Sequence, residues 1–219
     1  MKVFIIGMAG GVGRRLARAL ADRKDEATGL VRRPEQIEAM AGQGVSAGLG
    51  DILAMSVEAL AEEMRGSDAV VFTAGAGGSG REATTAIDGD GPGKLAQAAA
   101  LAGIRRFLLV SVFPEAWRER HMNDDFEHYI QEKKRAEIAL VASDLDWVIL
   151  RPSALSDEPG TGQVDLGLVK VHREITRDDV AATLVELLHA PEIGRVILEV
   201  TGGAVPIERA VSAMKPRVS

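Results

Sequence analysis

Lys2-Val3-Phe4-Ile5-Ile6-Gly7-Met8-Ala9-Gly10-Gly11-Val12-Gly13 decides the fold. An apolar strand pattern runs directly into G-x-x-G-x-x-G. Residues 11–21 follow as a helix, with Leu16, Ala17 and Leu20 on one face. A glycine turn between strand and helix meets three needs at once. The chain must reverse sharply, the backbone must come close to a phosphate, and the helix must pack near the strand. The helix start then offers unpaired N–H groups and the positive end of its dipole to an anion. No Gly-Lys-Ser/Thr follows, so a Walker-type loop fits poorly. The reading is a dinucleotide diphosphate seated on Gly7, Met8, Ala9, Gly10, Gly11, Val12 and Gly13.

Beyond this unit, apolar runs keep alternating with helical patterns. Strands are expected at 27–31, 45–49, 69–72, 106–110 and 147–150. Helices are expected at 34–40, 57–64, 92–102 and 126–142. This order predicts an α/β fold: a doubly wound, Rossmann-type parallel sheet. Residues 75–80 read as a glycine-rich loop and 157–162 as a turn-rich loop. Thr176 can cap a helix to about residue 189, Asp178 and Asp179 favour its dipole, and 196–200 is a further strand. Residues 215–219 read as a frayed end. With 219 residues and no linker or repeat, the chain reads as a single domain with short C-terminal elements on the substrate side.

Composition narrows the function. Aromatic residues are 4%, so the core must be aliphatic, which suits buried parallel strands. With no cysteine there is no disulfide, thiolate metal site or cysteine nucleophile. His121, His128, His172 and His189 lack metal-ligand spacing, and each reads as a surface or partner-bonded residue. A net charge of −6 with dispersed basic residues argues against nucleic-acid binding. Neither a signal-peptide pattern nor a membrane-spanning run is present, so a cytoplasmic protein is expected, monomeric or a homodimer.

The end of the second strand bears on cofactor type. A site preferring NAD(H) places an acid there for the ribose 2′-hydroxyl. Here the strand ends Leu30-Val31-Arg32-Arg33. A guanidinium forks onto a 2′-phosphate, so Arg32 and Arg33, helped by Arg14, point to NADP(H) over NAD(H).

Tyr129 and Lys133 stand four apart and share a helix face. An ammonium beside a phenol favours the phenolate, so a lowered tyrosine pKa and a general acid/base role are expected. Ser111 sits at the C-terminal end of the fifth strand, where ligands bind in open α/β sheets. The charges of Glu132, Lys133, Lys134, Arg135 and Glu137 read mostly as a solvated face. Residues 117–125 and 153–162 are read as the borders of a substrate pocket.

Together these features resemble the atypical short-chain dehydrogenase/reductase superfamily, especially its NmrA-like and biliverdin reductase B-like NAD(P)-binding proteins. The resemblance spans nearly the whole chain. It rests on Gly7, Gly10 and Gly13, on Gly50-Asp51, on Ala74-Gly75, on Ser111, on Tyr129-x-x-x-Lys133 and on Arg151-Pro152. It implies that Gly50, Asp51 and Ile52 pack on the adenine, and that Ala74 and Gly75 line the cofactor where side chains must be small. It implies Ser111, Tyr129 and Lys133 as catalytic residues, with Lys133 and Ser111 also near the nicotinamide end. Many relatives carry consecutive serines where this chain has Ser111-Val112-Phe113. The implied function is an NADP(H)-dependent oxidoreductase of a small carbonyl, alcohol, flavin or quinone. The alternatives are a sugar-nucleotide epimerase or dehydratase, and a non-catalytic NADP(H) redox sensor.

Overall fold

The computed structural model describes residues 1–42, 44–116 and 120–216. Strands β1 (Lys2–Ile6), β2 (Glu26–Val31), β3 (Ser46–Leu49), β4 (Ala69–Phe72), β5 (Arg106–Val110) and β6 (Asp146–Pro152) come first. Then follow β7 (Ala154–Ser156), β8 (Gln163–Gly167), β9 (Glu174–Thr176), β10 (Val196–Gly202) and β11 (Val205–Pro206). The helices are α1 (Gly11–Asp22), α2 (Pro34–Ala41), α3 (Val57–Met64), α4 (Arg81–Thr84), α5 (Gly91–Leu101), α6 (Asp124–Val141), α7 (Arg177–Leu188) and α8 (Ile207–Ser212).

Among the described residues the main sheet runs β11-β8-β10-β6-β5-β4-β1-β2-β3. The stretch from β3 to β10 is parallel, and β8 and β11 join antiparallel. β7 pairs with β9 in a small parallel sheet of its own. The order reverses between β1 and β4, which opens a crevice at the strand carboxyl ends. β11 has only two residues and ends in Pro206, and the opposite edge strand, β3, has four.

Alternation along β1 explains the layers. Val3 and Ile5 face a core shared with α1, α2, α7 and α8, while Phe4 and Ile6 face one shared with α3, α5 and α6. Leu16, Ala17 and Leu20 are fully buried beneath α1, as their spacing requires. Each buried leucine there contributes about 1.5–3 kcal/mol.

The doubly wound single domain is present, with element ends shifted by a residue or two. Residues 81–90, for which the sequence pattern predicts no element, form α4 and a π-helical segment, Thr85–Asp90. The irregular C-terminal region holds β7, β8, β9, β11 and α8. Thr176 caps α7, its Oγ1 accepting from Asp179 N–H at 3.0 Å. Asp179 is itself buried and accepts from Gly162 N–H at 2.8 Å and from the N–H and hydroxyl of Thr161, each at 3.0 Å. It thereby fastens the 157–162 loop to the start of α7. Part of the expected frayed end, 217–219, lies outside the described residues. Among the described residues no helix is long and apolar enough to cross a membrane.

Candidate active site

A cleft of about 1200 Å³ lies along the carboxyl ends of β1, β2, β4 and β5. Its floor at one end is the glycine turn. Gly7 has φ of +85°, and a Cβ there would lie 2.6 Å from Ala74 N. Gly13 meets Gly7 O, where a Cβ would stand at 2.2 Å. Gly10 N–H closes the turn onto Gly7 O at 2.8 Å. Gly10 is the N-cap of α1; it provides no side-chain cap, and the first turn contains no acid. The leading amides and the dipole are therefore presented to the cleft without a competing carboxylate.

The cofactor candidates divide by position. Gly7, Ala9, Gly10, Gly11, Val12, Arg32, Gly50, Asp51, Ile52, Ala74, Gly75, Ser111 and Lys133 line the cleft. Four candidates do not. Met8 is fully buried, its Cε 3.0 Å from where a Cβ on Gly29 would stand, so it anchors the turn from below. Gly13 serves packing. Arg14 is exposed outside the cleft lining, because one step along a helix turns a side chain by about 100°. Arg33 stands at the N-cap of α2 and pairs with Glu35 at 3.3 Å, facing solvent. Arg32 lines the cleft and makes no ion pair among the described residues.

The turn after β3 is fixed from within. Asp51 Oδ1 accepts from Leu53 N–H at 2.9 Å, and Lys94 Nζ donates to Ile52 O at 2.8 Å. These bonds hold residues 51–53 in place over the end of β3.

At the other end, Ser111, Tyr129 and Lys133 converge, joined by Asp88, which the sequence reading did not single out. Asp88 is 1% exposed and lies in the π-helical segment. One extra residue per turn re-aims side chains, and here it brings a carboxylate inward. Asp88 Oδ1 lies 3.2 Å from Lys133 Nζ, and Oδ2 accepts from Ala76 N–H at 2.9 Å. Lys133 Nζ also donates to Val110 O at 3.3 Å and lies 5.7 Å from the Tyr129 ring centre. Ser111 Oγ is buried without a hydrogen-bond partner among the described residues. Buried polar atoms are normally paired, so this hydroxyl, on a residue that lines the cleft, is an orphaned donor.

The expected lowering of the Tyr129 pKa does not occur. Burial pushes the phenol above its ordinary value; Lys133 pulls it down, and Asp88 adds to the rise. Burial outweighs the ammonium that was expected to dominate, and the buried carboxylate adds a smaller push in the same direction.

The charge run on α6 is also less solvated than its composition suggests. Lys133 and Glu137 are buried, and Glu137 holds Arg151 of β6 through Nε at 2.9 Å. His128 bonds Thr85 Oγ1 at 3.0 Å, His189 bonds Asp25 at 2.7 Å, and Phe113 meets His172 edge-on. The exposed His121 lines the cleft with Met122, Asn123, Asp125 and Phe126, while Leu155 lines the opposite border. Residues 117–119 of the expected border lie outside the described residues.

This arrangement fits a dinucleotide. Uncapped amides and side-chain-free glycines stand at one end, and an orphaned hydroxyl beside a buried lysine at the other. Known proteins agree. Residues 7–191 match the family model described as NAD(P)H-binding. The chain is 38% identical over 216 residues to the uncharacterized sugar epimerase YhfK of Bacillus subtilis, covering 98% of this chain and 100% of that one. A solved structure from Bacillus halodurans, provisionally titled an NAD-dependent epimerase/dehydratase, is 31% identical with a TM-score of 0.89 over 97% of this chain and 99% of that one. ChuY, an anaerobillin reductase of Escherichia coli O157:H7, is 26% identical with a TM-score of 0.80 over 94% of this chain and 98% of that one. The chain thus belongs to the NAD(P)H-binding family, an oxidoreductase- and epimerase-like group.

Proposed function

We propose that this protein is an NADP(H)-dependent reductase, with Tyr129 as proton donor and Lys133 and Ser111 as its partners. The observation that carries the reading is the shared cleft. The glycine turn and the Ser111, Tyr129, Lys133 cluster line one continuous groove. A nicotinamide dinucleotide, when bound, supplies the hydride. Gly7, Ala9, Gly10, Gly11 and Val12 would hold its diphosphate, and Asp51 and Ile52 would lie by the adenine. Arg32, unpaired in the cleft, supports preference for a 2′-phosphate.

The protein's own chemistry is acid catalysis. A phenol kept protonated by burial can give its proton to an alkoxide forming on a substrate carbonyl. Ser111 Oγ–H can donate a hydrogen bond to the same oxygen. The buried Lys133 ammonium adds positive charge beside it. For a flavin, quinone or linear tetrapyrrole the cleft mouth at His121, Asn123 and Leu155 would take the ring system. The anaerobillin reductase at 26% identity supports including tetrapyrroles in any screen.

A second reading, sugar-nucleotide epimerisation, is favoured by the names of two relatives. It begins with removal of a hydroxyl proton, which calls for a phenolate. Burial keeps the phenol protonated, which suits the acid role in reduction, and the substrate screen separates the two readings.

The test is titration with NADPH and NADH, followed by a screen of carbonyls, flavins, quinones, tetrapyrroles and sugar nucleotides. The expected results are tighter binding of NADPH, loss of that preference in Arg32→Ala, and steady NADPH oxidation with at least one electron acceptor. Failure to bind either dinucleotide would overturn the proposal. Stoichiometric cofactor retained through purification, with sugar-nucleotide interconversion, would favour the second reading.

A further inference from the structure

Gly11 is not one of the three spaced motif glycines, and no turn requires it, because it already lies in the first turn of α1. Its reason is a side chain from far along the sequence. A Cβ on Gly11 would stand 2.8 Å from Arg177 Cδ and 2.9 Å from Arg177 Nε. Arg177 is the first residue of α7. It crosses to the glycine turn and lines the cleft there.

Its surroundings hold it in that position. Asp157 Oδ2 pairs with Arg177 Nη1 at 3.0 Å. Arg15 reaches Asp157 at 3.2 Å and Asp178 at 2.8 Å, and donates to Gly11 O at 2.9 Å. Arg15 is thus committed to the two aspartates, whereas among the described residues Arg177 has one ion-pair partner, Asp157, and N–H donors to spare. Its side chain keeps 26% of its exposure, on the cleft side of the network.

We infer that Arg177 is a second clamp on the dinucleotide diphosphate, opposite the α1 amides, with Asp157 keeping the guanidinium aimed. The inference rests on the dinucleotide reading of the cleft. A guanidinium matches a diphosphate's paired oxygens, and it stands over the amides that would receive the same group. Gly11 is small so that this arm can lie flat on the turn. The group recognised is the diphosphate common to NADH and NADPH, which separates this role from that of Arg32.

The experiment is titration of wild type, Arg177→Ala, Arg177→Lys and Gly11→Ala with NADH and NADPH, with thermal melting to confirm folding. The expected result is a loss of about tenfold or more for Arg177→Ala, by the same factor for both dinucleotides. Arg177→Lys should fall between, because an ammonium keeps the charge but loses the fork. Gly11→Ala should push the arm away and reproduce much of the loss, yet add little in an Arg177→Ala background. Wild-type affinity for both dinucleotides in folded Arg177→Ala would overturn the inference and leave the dinucleotide reading intact. So would a loss confined to NADPH. If Arg177→Ala does not fold, the Gly11→Ala and Arg177→Lys titrations decide by the same criterion. A wild-type protein that binds neither dinucleotide is a separate result, and removes the reading beneath it.

Discussion

Replacing Asp88 by Asn tests whether the buried Asp88–Lys133 pair acts as one unit. The charged atoms are 3.2 Å apart, with side chains 2% and 6% exposed. At an effective dielectric near 20, that separation corresponds to a gross attraction of about 5 kcal/mol. Desolvation cancels much of it while the pair is intact. Removing one partner leaves the other charge buried alone, which costs about 3–5 kcal/mol. Asp88→Asn should therefore lose about 3 kcal/mol, because the amide can still accept from Ala76 N–H. Lys133→Met should lose a similar amount. The double variant removes both charges and should lose far less than the sum. Urea unfolding followed by circular dichroism reads these values, with a midpoint fall on the order of 1 M for each single variant. If the three losses add within about 0.5 kcal/mol, the two groups are not coupled and the reasoning fails.

Other expectations follow from the same geometry. Tyr129→Phe should cut turnover about 100-fold or more while leaving NADPH affinity near wild type; undiminished turnover would remove the tyrosine from the chemistry. The phenol is pushed upward, so it stays protonated through neutral pH. Reduction should hold level there and fall only in alkali beyond the ordinary tyrosine range, a limb that Tyr129→Phe should lack. A downturn near pH 7 that persists in that variant would assign the proton to another group. Gly13→Ala drives a Cβ to 2.2 Å from Gly7 O, so dinucleotide binding should be lost along with several degrees of melting temperature. Glu137→Ala strips the partly buried Arg151 of its main partner and should cost about 2–4 kcal/mol in urea unfolding, with little effect on Kd for NADPH.

The sheet was legible because its signal is local. Each parallel strand is an apolar run, each crossover helix has its own stripe, and the glycine turn sits between the first pair. Tyr129 and Lys133 were legible for the same reason, since four residues on a helix fix a shared face. The residues that escaped depend on contacts between distant segments. Asp88 lies in Ala86-Ile87-Asp88-Gly89, where nothing in the spacing announces a π-helical turn. Its neighbours Thr84, Thr85 and Asp90 are polar as well, so no isolated acid marks it in the sequence. Arg177 was read as part of a helix start, because its meeting with Gly11 joins positions 166 residues apart, by subtraction of their numbers. Arg14 and Arg33 failed to reach the cleft for a complementary reason. Basic character near a phosphate site is visible in sequence, but the direction of the side chain is set by helix phase and capping. The direction of the Tyr129 shift was also hidden, since it depends on burial and on Asp88 together.

The two rims of the sheet have a consequence for self-association. One rim is a two-residue strand closed by Pro206, which has no N–H to offer; the other is the brief β3. Neither gives a neighbouring copy a long ladder to continue, so such edges resist runaway strand addition. Any contact between copies is then expected on helical faces or loops rather than along a sheet edge.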